Sequence, residues 1–273
     1  MRSRTPVLLL APGLILLLAG FLIPSIAMLF SPPGVAPAEI FVRFGEMLTD
    51  PYDLRIIGRT VGIGLIVTLV CVVLGFPIAY LLARSTSRWS GVLLALAIFP
   101  LLLSNVVRTF GWLVVLGANG AIGQLLTGLG LVDRAPQPLY TELAIVLGLT
   151  QLFLPLAIIS CYSAVAQVDP GLDDAARGLG ASRTRTFWSI VIPLSSPGIV
   201  VAATLVFAGS VTAYTTPYLL GGSSQRMLST QLFSYSSVTI DWASASATAL
   251  IMTLLVFLIS GLSSLVARKG AIA

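Results

Sequence analysis

Three side chains of different chemistry recur at helical spacing. Asn105, Arg108 and Trp112 are three and four residues apart, which sets a carboxamide, a guanidinium and an indole on one helix face. Gln151 in a second apolar run, and Tyr214 and Thr215 in a third, add hydrogen-bonding groups in equally oily surroundings. Such a set can hold and release a solute; it has no means of breaking a covalent bond. Polar groups inside apolar runs are costly and face a partner or a water-filled cavity, so these six residues mark a candidate translocation path. A packing role competes at each position. Intramembrane hydroxyls usually bond to a neighbouring helix, tryptophan often packs or sits at the interface, and Arg108 can reach outward along its own stem. An arginine in the path would repel a polycation, which suits either a weak transit site or a cargo that is not cationic.

The remaining reactive residues exclude most chemistry. Histidine is absent, removing the commonest metal ligand and general base. Lys269 is the single lysine, and no G-x-x-x-x-G-K-[ST] phosphate cradle occurs, so this chain has no usual means of binding ATP. H-E-x-x-H, C-x-x-C and G-x-S-x-G are likewise missing. Cys71 and Cys161 both fall within apolar runs and read as small buried hydrophobes, leaving no disulfide framework and no metal site. Every Asp and Glu lies in a connection or at a helix edge. A self-contained secondary transporter or channel, the alternative reading, would need a coupling carboxylate within its spans or inverted repeats with broken helices. Neither is found, a membrane enzyme lacks any catalytic cluster, and the energy for transport must come from elsewhere.

The elements that position these residues are set by hydrophobicity. The chain has 273 residues, 57% hydrophobic and 9% charged, with mean hydropathy +1.01, whereas a soluble domain carries about 25% charged residues. Crossing about 30 Å of hydrocarbon takes roughly 20 apolar residues as helix. Six runs qualify: Val7–Phe30, Val61–Ala83, Val92–Gly117, Leu143–Ala166, Gly198–Leu220 and Ser244–Ala267. The alternating pattern of an outer-membrane barrel is absent, so the fold class is an all-α integral membrane bundle of six transmembrane helices in a single domain. The first run is too long for a signal-peptide core and is read as a retained span. Arg2, Arg4, Arg84, Arg88, Arg177, Arg183, Arg185, Arg268 and Lys269 fall in one set of connections; Arg43, Arg55, Arg59, Arg134 and Arg226 fall in the other. The first, more basic set faces the cytoplasm, which places both termini there. The net charge of +5 then reflects membrane topology, with no role for nucleic acid.

Residues 167–193 stand apart from the oily remainder. Asp169-Pro170 is a helix start, since Asp accepts from orphan N–H groups and Pro suits the first helical position. Asp173 and Asp174 lie in the first turn, favourable to the helix dipole, with Arg177 within pairing reach. Gly178 and Gly180 end the helix, Gly180 in the left-handed cap. Ser182 caps a second helix through Phe187, Trp188 and Ile190, kinked or stopped by Pro193. The reading is a helix–turn–helix under the membrane, shaped to be contacted.

Within it, Asp174-Ala175-Ala176, three residues, Gly180, nine residues, Ile190, one residue and Ile192-Pro193 reproduce a known spacing. It resembles the E-A-A-x3-G-x9-I-x-L-P loop of binding-protein-dependent ABC importer permeases, with Asp174 for Glu and Ile192 for Leu. NVVRTFGWLVVLGANGAIGQLL (105–126) and TTPYLLGG (215–222) are similar to the spermidine/putrescine subgroup, in particular to the first member of its permease pair. This resemblance implies a type I importer permease fold in a bacterial inner membrane. It also implies a second permease in a heterodimer, two cytoplasmic ATPase subunits that hold ATP and magnesium, and an extracytoplasmic solute-binding protein. Asp174, Ala175, Ala176 and Gly180 would then form the ATPase-coupling surface, with Ile190 and Pro193 anchoring it to the next span. The outer connections, Ser31–Thr60 and the stretch between Gly117 and Leu143 with Asn119-Gly120 and Pro136-Gln137-Pro138, offer surfaces for the binding protein. The implied cargo is a polyamine or related small organic solute.

Overall fold

A computed structural model describes residues 12–118, 120–130 and 138–270. Asn119, Arg134, Pro136, Gln137 and the basic residues Arg2 and Arg4 lie outside the described residues. All regular structure among the described residues is helical. Six helical stretches are long and apolar enough to cross a membrane: Pro12–Phe30, Pro51–Ala83, Asn105–Leu125, Glu142–Ala166, Arg183–Thr212 and Trp242–Ser263. In chain order the elements are α1 (Pro12–Phe30), α2 (Pro37–Met47), α3 (Pro51–Ala83) and α4 (Ser90–Ile98). They continue with α5 (Asn105–Leu116), α6 (Ala121–Gly128), α7 (Glu142–Ala166) and α8 (Pro170–Gly178). The last are α9 (Arg183–Thr212), α10 (Thr215–Gly221), α11 (Leu228–Phe233) and α12 (Trp242–Gly270).

The single span expected over Val92–Gly117 is two helices. Pro100 has no N–H to donate to Leu96, so α4 tightens into a 3₁₀ turn over Phe99–Leu102. Leu103 is then extended, at φ −84° and ψ 142°, and α5 starts afresh after Ser104. The fifth span also differs at its C-terminal end: the helix stops at Thr212, Ala213 is extended, and Thr215–Leu220 belong to the separate α10. The connection expected over Ser31–Thr60 instead folds as α2 followed by the first turns of α3, whose polar residues keep hydropathy low although the backbone is helical.

Two compact units form. One comprises residues up to Arg55 together with Gln231–Thr253. In it α2 buries Ile40 and Met47, and Ser246 Oγ donates to the Met28 carbonyl at 2.8 Å. Arg43 Nε donates to Ser244 Oγ at 2.9 Å, and the same guanidinium lies against Glu46 at 3.1 Å and Asp53 at 3.8 Å.

The larger unit, Ile56–Thr230 with the residues from Leu254, is built around α3, α7 and α9. Its core gathers Ile63, Val67, Cys71, Leu149, Ala157 and Val206 in one cluster, and Phe76, Ala79, Cys161, Val165, Val191 and Ala202 in a second. Both cysteines are buried and unpaired, as small apolar fillers. The α7–α9 crossing is close because Gly198 has no side chain: a Cβ there would overlap the Ala164 methyl.

Candidate coupling segment and membrane path

The segment after α7 is shaped by its caps. Asp169, at φ −58° and ψ 122°, accepts from the Gly171 N–H at 2.8 Å, and Pro170 takes the first helical position. At the far end of α8 the Gly180 N–H donates to Arg177 O and the Ala181 N–H to Ala176 O, both at 3.0 Å. This pair of bonds is the Schellman arrangement, and Gly180 fills its left-handed position at φ +87°. Ser182 Oγ then accepts from the Arg185 N–H at 3.2 Å and starts α9. All three caps expected from the sequence form.

The outer surface of α8 is bare. Asp174, Ala175, Arg177, Gly178 and Gly180 are exposed, Ala176 is half-buried, and Leu179 is 91% exposed. Anchorage comes from Phe187, whose ring centroid lies 5.6 Å from that of Phe76 and 5.0 Å from that of Tyr80, and from fully buried Val191. Ile190 is half-buried and Pro193 is exposed. Pro193 cannot donate to the Ser189 carbonyl, and the backbone before it widens into a π turn over Phe187–Val191.

Arg177 forms no ion pair with Asp173 or Asp174 among the described residues. Asp173 lies against Arg84 instead, with Nε 2.9 Å from Oδ2 and side chains 14% and 15% exposed. The alignment is too poor for a hydrogen bond, and Arg84 Nη2 and Asp173 Oδ1 are also buried without hydrogen-bond partners among the described residues. Arg84 Nη1 donates to Val168 O at 2.9 Å. Sequence reasoning missed this pair because an ion pair between distant segments leaves no local spacing to detect.

The path residues converge in part. Trp112 Nε1 donates to Gln151 Oε1 at 3.2 Å, joining α5 to α7. Thr216 Oγ1 donates to Asn105 Oδ1 at 3.4 Å and lies 3.2 Å from Thr109 Oγ1, joining α5 to α10. Tyr214 stacks on Tyr218, with centroids 5.1 Å apart, and the half-buried Thr215 begins α10. The break just before the half-buried Tyr214 is stabilised by Ser229, whose hydroxyl donates to the freed Ala213 carbonyl at 2.7 Å. Arg108 stands on the same helix as Asn105 and Trp112, yet its Nε and Nη1 are buried without hydrogen-bond partners among the described residues. The arrangement gathers hydrogen-bonding groups from α5, α7 and α10 near one guanidinium whose Nε and Nη1 are buried.

Residues 75–270, which include the coupling segment and every path residue named above, match the family described as "Binding-protein-dependent transport system inner membrane component". The chain belongs to that family. It is 31% identical to the spermidine/putrescine transport system permease protein PotB of Escherichia coli (strain K12) over 207 residues, 76% of this chain and 75% of that protein. The molybdenum transport system permease protein ModB of Azotobacter vinelandii is 32% identical over 192 residues, 69% of this chain and 83% of its own length. A bacterial alginate ABC transporter, solved with an alginate pentasaccharide-bound periplasmic protein, superposes with TM-score 0.78 at 17% identity, covering 99% of this chain and 96% of that one. The fold is therefore that of ABC transporter permeases. The protein is a multi-pass membrane permease of an ABC importer, as the sequence pattern implies.

Proposed function

We propose that this chain pairs with a second, homologous permease to form the path of an ATP-driven importer for a polyamine or a related small amine. Two cytoplasmic ATPase subunits, holding ATP and magnesium, power it, and an extracytoplasmic binding protein delivers the cargo. The observation that carries the reading is the bare outer face of α8, with Asp174, Ala175 and Leu179 exposed beside the left-handed Gly180. This surface has the size and stiffness to seat in a cleft of an ATPase subunit, with Asp174 pairing there. The nine basic residues named for one set of connections support a cytoplasmic position for that surface and for both termini.

Closure of the ATPase pair would draw α8 with it. Phe187, packed on Phe76 and Tyr80, would carry the motion into α3 and α9, and the joints at Ser104 and Ala213 would let α5 and α10 reorient around the cargo. Asn105, Arg108, Trp112, Gln151, Tyr214 and Thr215 line the route. The cargo class draws its support from the relatives named for spermidine and putrescine. Arg108 in that route fits brief transit and disfavours tight storage of a polycation.

Affinity purification of the tagged chain in mild detergent, with mass spectrometry of what accompanies it, tests this. A Walker-motif ATPase and a related permease are the expected companions, and calorimetry of the matching binding protein with putrescine and spermidine reads the cargo. Recovery of the chain alone, under conditions that keep another importer intact, would overturn the assembly. A binding protein that ignores both amines would overturn the cargo.

A further inference from the structure

The coupling helix is held to the bundle in an unusual way. α8 has no buried residue, and beside it opens a cavity of about 580 Å³ whose lining includes Ser163, Gln167, Leu172, Leu194, Pro197 and Val201. Apolar packing therefore does not fix α8. Among the described residues, no side chain of α8 other than Asp173 forms an ion pair or hydrogen bond with a residue outside the segment. Its partner, Arg84, directly follows α3 and continues its hydrogen bonding, donating its N–H to Tyr80 O at 3.0 Å. Through Nη1 the same guanidinium holds Val168 O, the residue before the Asp169 cap. One side chain thus grips α8 at its entrance and in its first turn.

We propose that Arg84 is a positioning residue for energy coupling: through Asp173 it transmits displacement of α8 to the inner end of α3. The inference rests on the importer reading given above. A mostly buried ion pair suits the task because it keeps its grip over a range of orientations, where an apolar contact would slide. Its present geometry is incomplete, with Nη2 and Oδ1 unmatched. A small shift of α8 toward α3 would bring those atoms together and turn the single contact into a bidentate fork. The observed contact would then be the looser of two arrangements, and movement of α8 would select the tighter one. Phe187 bears on the same end of α3 through Phe76 and Tyr80, so the two contacts load one helix end together.

The test compares wild type with Asp173→Asn, Arg84→Gln, the double variant and Arg84→Lys in the complete transporter, reconstituted in liposomes of bacterial phospholipid. ATPase recovery, ATP hydrolysis and solute uptake are measured together. Each neutralising variant is expected to retain the ATPase and its basal hydrolysis while solute imported per ATP falls about tenfold. The double variant should be no worse than Arg84→Gln, which already lacks both the Asp173 contact and the bond to Val168 O, and Arg84→Lys should recover part of the loss. Asp173→Asn is the decisive single change, because it leaves the Arg84 bond to Val168 in place. Normal uptake per ATP in Asp173→Asn would overturn the assignment. So would additive losses in the double variant, or loss of ATPase binding in Asp173→Asn, which would make the pair a docking feature. If the wild-type chain itself recovers no ATPase, the importer reading and this assignment fall together.

Discussion

Replacing Gly180 by alanine separates the shape of the coupling turn from its surface. Gly180 sits at φ +87°, and a Cβ built there meets nothing within 4 Å, so the cost of a side chain is purely one of backbone conformation. For an L-residue the left-handed region costs roughly 1–2 kcal/mol, which lowers the population of the capped turn by roughly 5–30-fold. Gly178 supplies the control. It is helical, equally open, and has no positive φ; alanine there should favour the helix by about 1 kcal/mol. Asparagine, which tolerates the left-handed region, should rescue position 180 in part. The assay is uptake of labelled solute in cells, normalised to membrane-inserted protein by immunoblot, with recovered ATPase measured in parallel. The expected order of uptake is wild type and Gly178→Ala together, then Gly180→Asn, then Gly180→Ala. Gly180→Asp should remain in the membrane yet lose transport and bind the ATPase weakly. Equal loss in Gly178→Ala and Gly180→Ala, or full activity in Gly180→Ala, would refute the idea that this φ sets the coupling geometry.

Other perturbations test other links. Phe187→Ala removes the ring packed on Phe76 and Tyr80 and should lower stability by about 2 kcal/mol, seen as an earlier thermal midpoint in detergent. Gly198→Val sets a branched side chain against Ala164 at the α7–α9 crossing; protease-resistant, membrane-inserted protein should be lost, and a normal yield would contradict the close packing. Arg108→Met removes a cation whose Nε and Nη1 lack partners among the described residues, so the thermal midpoint should hold or rise, whereas a clear fall would mean that the guanidinium is already paired. Burial pushes the Asp241 carboxyl up, but bonds from the Ser244 hydroxyl and backbone, with Arg43 nearby, outweigh it and hold it below the ordinary carboxylate value. A depressed carboxylate adds stability above its unfolded pKa of about 3.9 and loses it as the pH falls through the lower folded value. The thermal midpoint in detergent should therefore fall in acid in the wild type, and Asp241→Asn should flatten that dependence.

What could be read beforehand was local or periodic. The apolar runs are long enough to declare themselves, and the caps at Asp169, Gly180 and Ser182 follow from residues only a few positions apart. The break at Leu103–Ser104 escapes hydropathy, because every residue from Val92 to Leu103 is apolar whether or not its backbone bonds are satisfied; Pro100 is the signal, but Pro77 and Pro155 sit inside unbroken helices. The early start of α3 escapes for the opposite reason, since Asp53, Arg55 and Arg59 are polar yet helical. Among the path residues, the shared face of Asn105 and Trp112 follows from spacing. Their partners Thr216 and Gln151 do not, because helix order in space is set by packing between distant runs. The Arg84–Asp173 pair is hidden in the same way.

The coupling turn is written in main-chain atoms: two N–H groups, two carbonyls and one glycine torsion. None of the exposed side chains on α8 helps to define it. Selection can therefore rewrite Asp174, Ala175, Arg177 and Leu179 to follow changes in a partner's cleft while the turn keeps its form. Changing those side chains should therefore alter what the segment can contact and leave the turn's backbone bonds in place.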